Sequence, residues 1–313
     1  MDKTVFLFPG QGSQYIGMGE DIYKEFDFVR ELFDMAEETT KINLSRICFK
    51  GSMEELTRTV NLQPAILVVS LAFLAALEKE SFSPEIAAGH SLGEYGALSA
   101  AKIVSKQDAI RMVHLRGELM HRESIRHRGV MHALIGLDID TVRKLVEKVQ
   151  KKGIVSVANH NTAQQIVITG SSGPVEKVSA LASEKGAKSI PLKVSGGWHS
   201  ELVKAAEGDF EKFLETISFH SPECPVIHNY TADISPRDTA EIKDILVRQL
   251  CSPVKWYDSV RLLMDRGIEN FVEIGPGKVI TGLVKKILPK DYPAKTYSIN
   301  NMKTFENFLG TAT

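Results

Sequence analysis

Between Ile86 and Ala101 the chain runs through a short apolar segment, Ile86–Ala88. Gly89-His90-Ser91-Leu92-Gly93 comes next, followed by a small-residue stretch with helical character, Glu94–Ala101. A buried strand that turns sharply into a helix belongs in a layered α/β fold with a mostly parallel sheet. The five central residues match G-x-S-x-G, the nucleophile elbow. Its glycines let the chain turn so tightly that the serine hydroxyl is pushed out at a helix N-terminus. There the helix dipole and the Leu92 N–H can stabilise an oxyanion. The pentapeptide alone arises by chance in roughly one chain of this length in ten. The strand before it and the helix after it are what make Ser91 a candidate nucleophile.

The rest of the chain continues the alternation. Val5–Phe8 is an apolar run ended by Pro9-Gly10, which predicts a buried first strand and not a signal peptide. Gln63-Pro64 is expected to open an apolar helix. Its run Ala65–Leu77, interrupted by Ser70, is too short for the ~20 residues of a membrane span and reads as a buried helix. From about 130 to 194 the pattern predicts strand Met131–Gly136, helix Asp140–Lys151 and strand Ile154–Ala158, then strand Gln165–Thr169, helix Pro174–Lys185 and strand Ser189–Val194. That β-α-β-β-α-β order is the split βαβ, ferredoxin-like unit. Strands resume at Val226–Asn229 and Phe271–Ile274. The expected architecture is therefore α/β, with an α/β-hydrolase-like large domain (1–128 and 196–313) interrupted by a ferredoxin-like small domain (129–195).

Composition closes several functional classes. Lys plus Arg (38) balance Asp plus Glu (39), so no global electrostatic grip on nucleic acid or membrane is indicated. Cys48, Cys224 and Cys251 are far apart and form no C-x-x-C pair, which argues against a disulfide framework or a zinc site and fits a reducing cytosol.

A serine nucleophile needs a base. Of nine histidines, His199 follows Ser195-Gly196-Gly197, a flexible turn that can aim a side chain back at the elbow. A lone histidine is nevertheless more often structural. His90, next to Ser91, reads as a packed, hydrogen-bonded ring. Gly10-Gln11-Gly12-Ser13-Gln14 follows the first strand but is no phosphate loop, because Met18 stands where the lysine is needed. It is either a plain turn or the source of a second oxyanion donor, the Gln11 N–H.

Seven motifs in order resemble one family. FPGQGSQ (8–14), QPA (63–65), GHSLGEY (89–95), VHLRGELM (113–120), SGGWHS (195–200), QLCSPVKW (249–256) and EIGPGKV (273–279) look like those of the malonyl-CoA:acyl carrier protein transacylases. The resemblance implies an acyltransferase of fatty acid biosynthesis, cytoplasmic, with malonyl-CoA and acyl carrier protein as partners and no metal or cofactor. It implies Ser91 as nucleophile, His199 as base and then acid, and Gln11 and Leu92 as oxyanion donors. Arg116 would pair with the malonyl carboxylate, which a planar guanidinium fork suits better than a lysine. Without the family, Arg116 would read as a surface salt bridge. Gln63 and Asn159 would line the pocket, and the Gln249 main-chain carbonyl would orient the histidine. Two features depart from the family: Trp198, bulkier than the Phe or Ser often found there, and the basic run 121–128, read as a solvated linker or a surface for coenzyme A phosphates or carrier protein. A polyketide acyltransferase or an acyl-thioester hydrolase on the same fold is the alternative, and an inactive relative is disfavoured by the presence of Ser91, His199 and Arg116.

Overall fold

The computed structural model describes residues 3–312; residues 1, 2 and 313, at the outer ends of the expected large domain, lie outside the described residues. Among the described residues there are nine strands: Thr4–Phe8 (β1), Ile86–Gly89 (β2), Val130–Ile135 (β3), Val155–Thr162 (β4), Gln165–Gly170 (β5), Lys188–Pro191 (β6), Val226–Ile227 (β7), Asn270–Ile274 (β8) and Lys295–Ile299 (β9). They form two sheets of different kinds. β7-β2-β1-β8-β9 is parallel throughout, and β4-β5-β3-β6 is antiparallel throughout.

The parallel sheet is covered on both faces, which is why its central strands read as unbroken apolar runs. Successive side chains enter different cores. Phe6, Phe8 and Ala87 pack in the larger one, and Val5, Leu7, Ile86 and Ala88 in the other. β1 and β2 run side by side in register from Val5↔Ile86 to Phe8↔Gly89. Their C-terminal ends therefore deliver Pro9–Gln14 and His90–Gly93 to the same edge of the sheet, where parallel α/β sheets place their sites.

The helix Thr59–Lys79 differs from expectation. It starts four residues before Gln63, so Pro64 lies inside it and removes one backbone hydrogen bond. At 21 residues it is long and apolar enough to cross a membrane by those criteria alone, although 89% of its most apolar window is buried inside the protein. Helix Lys106–Arg126 packs beside it and carries Arg116.

The antiparallel sheet alternates between two apolar layers. Leu134, Ile166 and Ile168 face the helices Ile139–Gln150 and Ser172–Glu184, while Met131, Ala133 and Val167 face the other way, toward Met120 and Trp198. The element order matches the sequence pattern, with one consequential shift. β4 runs on to Thr162 through two irregularities. Its far end pairs with Val254: the His160 N–H donates to the Val254 carbonyl (2.9 Å) and the Val254 N–H to that of Ala158 (2.8 Å). That tie fixes Asn159 beside the elbow's edge of the parallel sheet. β9, the edge strand beside β8, was not anticipated.

Candidate active site

The elbow forms as its sequence requires, but strain and space are divided differently from the expectation. Gly93 has an ordinary helical φ of −62°. It is Ser91 that takes the left-handed φ of 53°, a conformation that costs a non-glycine residue about 1–3 kcal/mol. The glycines supply clearance. A Cβ on Gly89 would lie 2.0 Å from the Gly93 carbonyl carbon, and one on Gly93 would lie 2.1 Å from the Phe8 carbonyl oxygen.

The strained serine is held by hydrogen bonds from distant residues. Its N–H donates to Asn229 Oδ1 (2.6 Å), and Asn229 Nδ2 donates to the Gly89 carbonyl (2.6 Å). Gln249 Nε2 donates to the Ser91 carbonyl (3.0 Å). Among the described residues, neither the Gln11 nor the Leu92 N–H is spent on a backbone or side-chain acceptor, so both are open to a developing oxyanion.

Ser91 Oγ lies 2.8 Å from His199 Nε2, and His199 Nδ1 lies 3.0 Å from the Gln249 carbonyl oxygen. A carbonyl can only accept, so Nδ1 carries the proton and Nε2 is left to take one from the serine. His199 also has a left-handed φ, 58°. Burial, reinforced by the Arg116 guanidinium, lowers its pKa to about 3, which keeps the ring unprotonated at neutral pH.

Arg116 is 1% exposed, so the salt-bridge reading at the surface does not hold. Its Nη1 donates to Gln63 Oε1 (2.9 Å), and its Nη2 donates to Ser91 Oγ (3.0 Å) and Gln249 Oε1 (3.2 Å). Nε has no partner, and no carboxylate lies within ion-pairing distance among the described residues. A buried cation with an unspent donor is costly to keep and is relieved by an anion brought in from outside.

A cavity of about 100 Å³ opens over these groups. Gln11, His90, Ser91, Asn159 and His199 make its polar wall, and Met120, Met131, Leu192, Val194 and Trp198 its apolar wall. Gln63 is not on this wall. It is fully buried behind Arg116 and positions the guanidinium. The His90 ring is tied to Asn161 Oδ1 (2.9 Å) and packs against Trp256, as a structural histidine would. The run 121–128 is no linker through most of its length, because the helix continues to Arg126. Arg122 pairs with Glu123 and Asp209, and Arg126 with Glu123.

Asn229, Glu94 and His228 escaped the sequence reading. Glu94 directly follows the elbow on an apolar helix, where a carboxylate looks like a solvated position; it is fully buried. Asn229 ends an unremarkable short strand run, and only the pairing of β7 with β2 brings it under Ser91.

The family described as the acyl transferase domain matches residues 5–305. The malonyl CoA-acyl carrier protein transacylase of Bacillus subtilis (strain 168) is 44% identical, over 99% of this chain and 98% of its own length. This chain belongs to the malonyl CoA-acyl carrier protein transacylase family. The solved family member from Xanthomonas oryzae pv. oryzae superposes with a TM-score of 0.94 at 33% identity, covering 99% of this chain and 98% of that one. A malonyl-transacylase solved in complex with a type II PKS acyl-carrier protein superposes with a TM-score of 0.93 at 35% identity, covering 98% and 99%.

Proposed function

We propose that this chain moves malonyl from malonyl-CoA to the phosphopantetheine thiol of an acyl carrier protein, through an ester on Ser91, in fatty acid biosynthesis. The observation that carries this reading is the buried Arg116 guanidinium, without a carboxylate partner and 3.0 Å from Ser91 Oγ. Malonyl has a thioester carbonyl for the serine and, two carbons away, a carboxylate for the arginine.

His199 Nε2 takes the Ser91 proton as Oγ attacks the thioester carbonyl. The negative oxygen is received by the Leu92 and Gln11 N–H groups. As the carbonyl re-forms, the C–S bond breaks, and the imidazolium returns its proton to the sulfur of coenzyme A. The carrier-protein thiol then gives its proton to His199, and its sulfur attacks the acyl-serine. The Oγ–C bond breaks and Ser91 recovers the proton. Gln249 steadies the imidazolium through its main-chain carbonyl, Gln63 holds Arg116 from behind, and Asn159 borders the acyl group. For Arg116 to meet the malonyl carboxylate, Nη2 exchanges Ser91 Oγ for a carboxylate oxygen, which leaves the serine bonded to its base alone.

We read residues 129–195 as a ferredoxin-like small domain inserted in an α/β-hydrolase-like large domain of 1–128 and 196–313. The four-stranded antiparallel order β4-β5-β3-β6 with two helices on one face supports the first assignment, and the elbow on a parallel sheet supports the second. The site then lies in the cleft between them, and the enzyme works in the cytoplasm.

Intact mass after separate incubation with malonyl-CoA and acetyl-CoA tests the reading. A malonyl adduct on the wild type, absent from Ser91→Ala, is expected. An adduct that persists in Ser91→Ala, or a preference for acetyl, would overturn it.

A further inference from the structure

Glu94 is a fully buried carboxylate one helical turn from the nucleophile, and it touches neither Ser91 Oγ nor the cavity. Three donors converge on it. His228 Nδ1 reaches Oε1 at 2.7 Å, while the Asn229 N–H and Gln249 Nε2 reach Oε2 at 3.0 and 2.8 Å. Two of these residues, Asn229 and Gln249, lead back to the reacting groups. The Asn229 side chain clamps the Ser91 N–H and the Gly89 carbonyl. Gln249 spends one amide on three partners: Oε1 accepts from Arg116, and Nε2 donates to both Glu94 and the Ser91 carbonyl. Its main-chain carbonyl also holds His199.

We propose that Glu94 is a positioning residue for malonyl transfer, acting through the Gln249 side chain to hold Arg116 at the carboxylate-binding position; this rests on the transacylase reading above.

The physical reason is the direction of an amide. A primary amide is nearly symmetric in shape but donates at one end and accepts at the other. Arg116 can only donate, so it needs Oε1 of Gln249 on its side. An ionised carboxylate can only accept, so Glu94 draws Nε2 to the opposite side and commits Oε1 to the guanidinium. The resulting chain, Arg116 Nη2–H to Oε1 and Nε2–H to Glu94 Oε2, joins a buried cation to a buried anion through one polarised amide. Such chains strengthen each bond along them. The arrangement also lets the two charges offset each other without direct contact. A direct salt bridge to Glu94 would fill the face of Arg116 that the substrate carboxylate needs.

Glu94→Gln is nearly isosteric and weakens this directing power, because it removes the charge and lets an NH2 face Gln249 wherever the Asn229 N–H gives up its acceptor. In part of the population Gln249 would then turn its NH2 toward Arg116 and release it. Malonyl depends on a fixed guanidinium and acetyl does not, so the loss should appear in selectivity. That separates positioning from a merely structural role, which would slow both acyl groups alike.

The test measures kcat/KM for malonyl-CoA and acetyl-CoA with full-length wild type, Glu94→Gln, Glu94→Asp, Gln249→Leu and the Glu94→Gln/Gln249→Leu double variant, with melting temperatures alongside. Glu94→Gln should lower malonyl kcat/KM by about tenfold, with a clear drop in the malonyl:acetyl ratio. Glu94→Asp keeps the charge and should keep more of that ratio. Gln249→Leu leaves the carbonyl that holds His199 and should lose the ratio to the same extent, with no further loss in the double variant. Equal slowing of both acyl groups, or additive losses in the double variant, would overturn the proposal. Where Glu94→Gln does not fold, Gln249→Leu carries the test: a retained malonyl preference overturns it. Failure of the wild type to take malonyl at all would instead reject the transacylase reading.

Discussion

Ser91 and His199 line the cavity with Arg116 bonded to Ser91 behind them; each of the three is held by two or more hydrogen bonds, and Ser91 and His199 both take a left-handed φ. Met120, Met131 and Trp198, by contrast, meet one another through apolar contact; the Met120 sulfur accepts from Gln63 Nε2 at 3.2 Å, and the Trp198 Nε1–H has no acceptor among the described residues. The polar wall is directional. Each of its groups has one useful orientation, and removing a partner leaves a buried charge or dipole unpaired. The apolar wall is defined by volume, and flexible methionine side chains can adjust to fill it. Chemistry and charge recognition therefore belong to the first wall and the size limit on the acyl group to the second, so changes to the two should fail in different ways.

The largest expected effect is at the base. His199→Ala should reduce transfer by about 10²–10⁴-fold, the usual contribution of a general base; near wild-type rates would move the role elsewhere. The pH dependence sharpens the same point. With a folded-state pKa of about 3 against roughly 6.5 in the unfolded chain, His199 stays neutral through the physiological range. The acid limb of kcat/KM should thus lie well below pH 6.5, and a limb centred there would contradict the burial argument. Between about pH 6.5 and 3 the unfolded state holds the extra proton, so this residue makes stability fall as pH falls through that window. Acid unfolding followed by circular dichroism should be shallower in His199→Ala.

Arg116→Ala should come next. Removing one partner of a desolvated charge pair costs about 2–5 kcal/mol. Malonyl transfer should therefore fall by at least about tenfold, while acetyl transfer holds or rises. Lysine should rescue only in part, as a point charge without the fork. Equal slowing of both acyl groups would mean that the polar wall does not sort charge and that Arg116 is structural.

The smallest effect is expected on the apolar wall. Trp198→Phe removes an unpaired buried N–H and a little volume, so the melting temperature should hold or rise slightly. Malonyl kcat/KM should change by less than about threefold, with the gain going to bulkier acyl groups, since a methylene's worth of pocket discriminates by about 10–200-fold. A loss of malonyl transfer as large as that of Arg116→Ala would collapse the distinction between the walls.

Much of this was legible before any coordinates. Short apolar runs bounded by glycine and proline located β1, β2 and β8, because strands buried on both faces have no polar alternation to confuse the pattern. The six elements between 130 and 191 followed from their periodicity. Ser91 stood out because its turn needs glycines in a fixed pattern. Where the reading failed, the sequence carried no local signal. Pro64 marks a helix start in most contexts, but here the helix begins at Thr59, with Thr59, Asn61 and Leu62 of its first turn buried. The basic run after Met120 has the composition of a linker, yet Glu123 and Asp209 draw its arginines into ion pairs along a continuing helix.

By itself, then, the sequence determined which elements exist, the serine's turn, and the set of polar side chains available near it. Those follow from short-range periodicity and from steric limits within a few residues. Tertiary structure decided which groups meet. Asn229 comes 138 positions after Ser91 and Gln249 another 20 beyond it, and both arrive under the elbow only because distant segments pack together there. It also decided charge: Glu94 and Arg116 are polar letters that a local reading places in solvent. Their burial, and the amide of Gln249 between them, depend on every layer packed around the helix Glu94–Ala100.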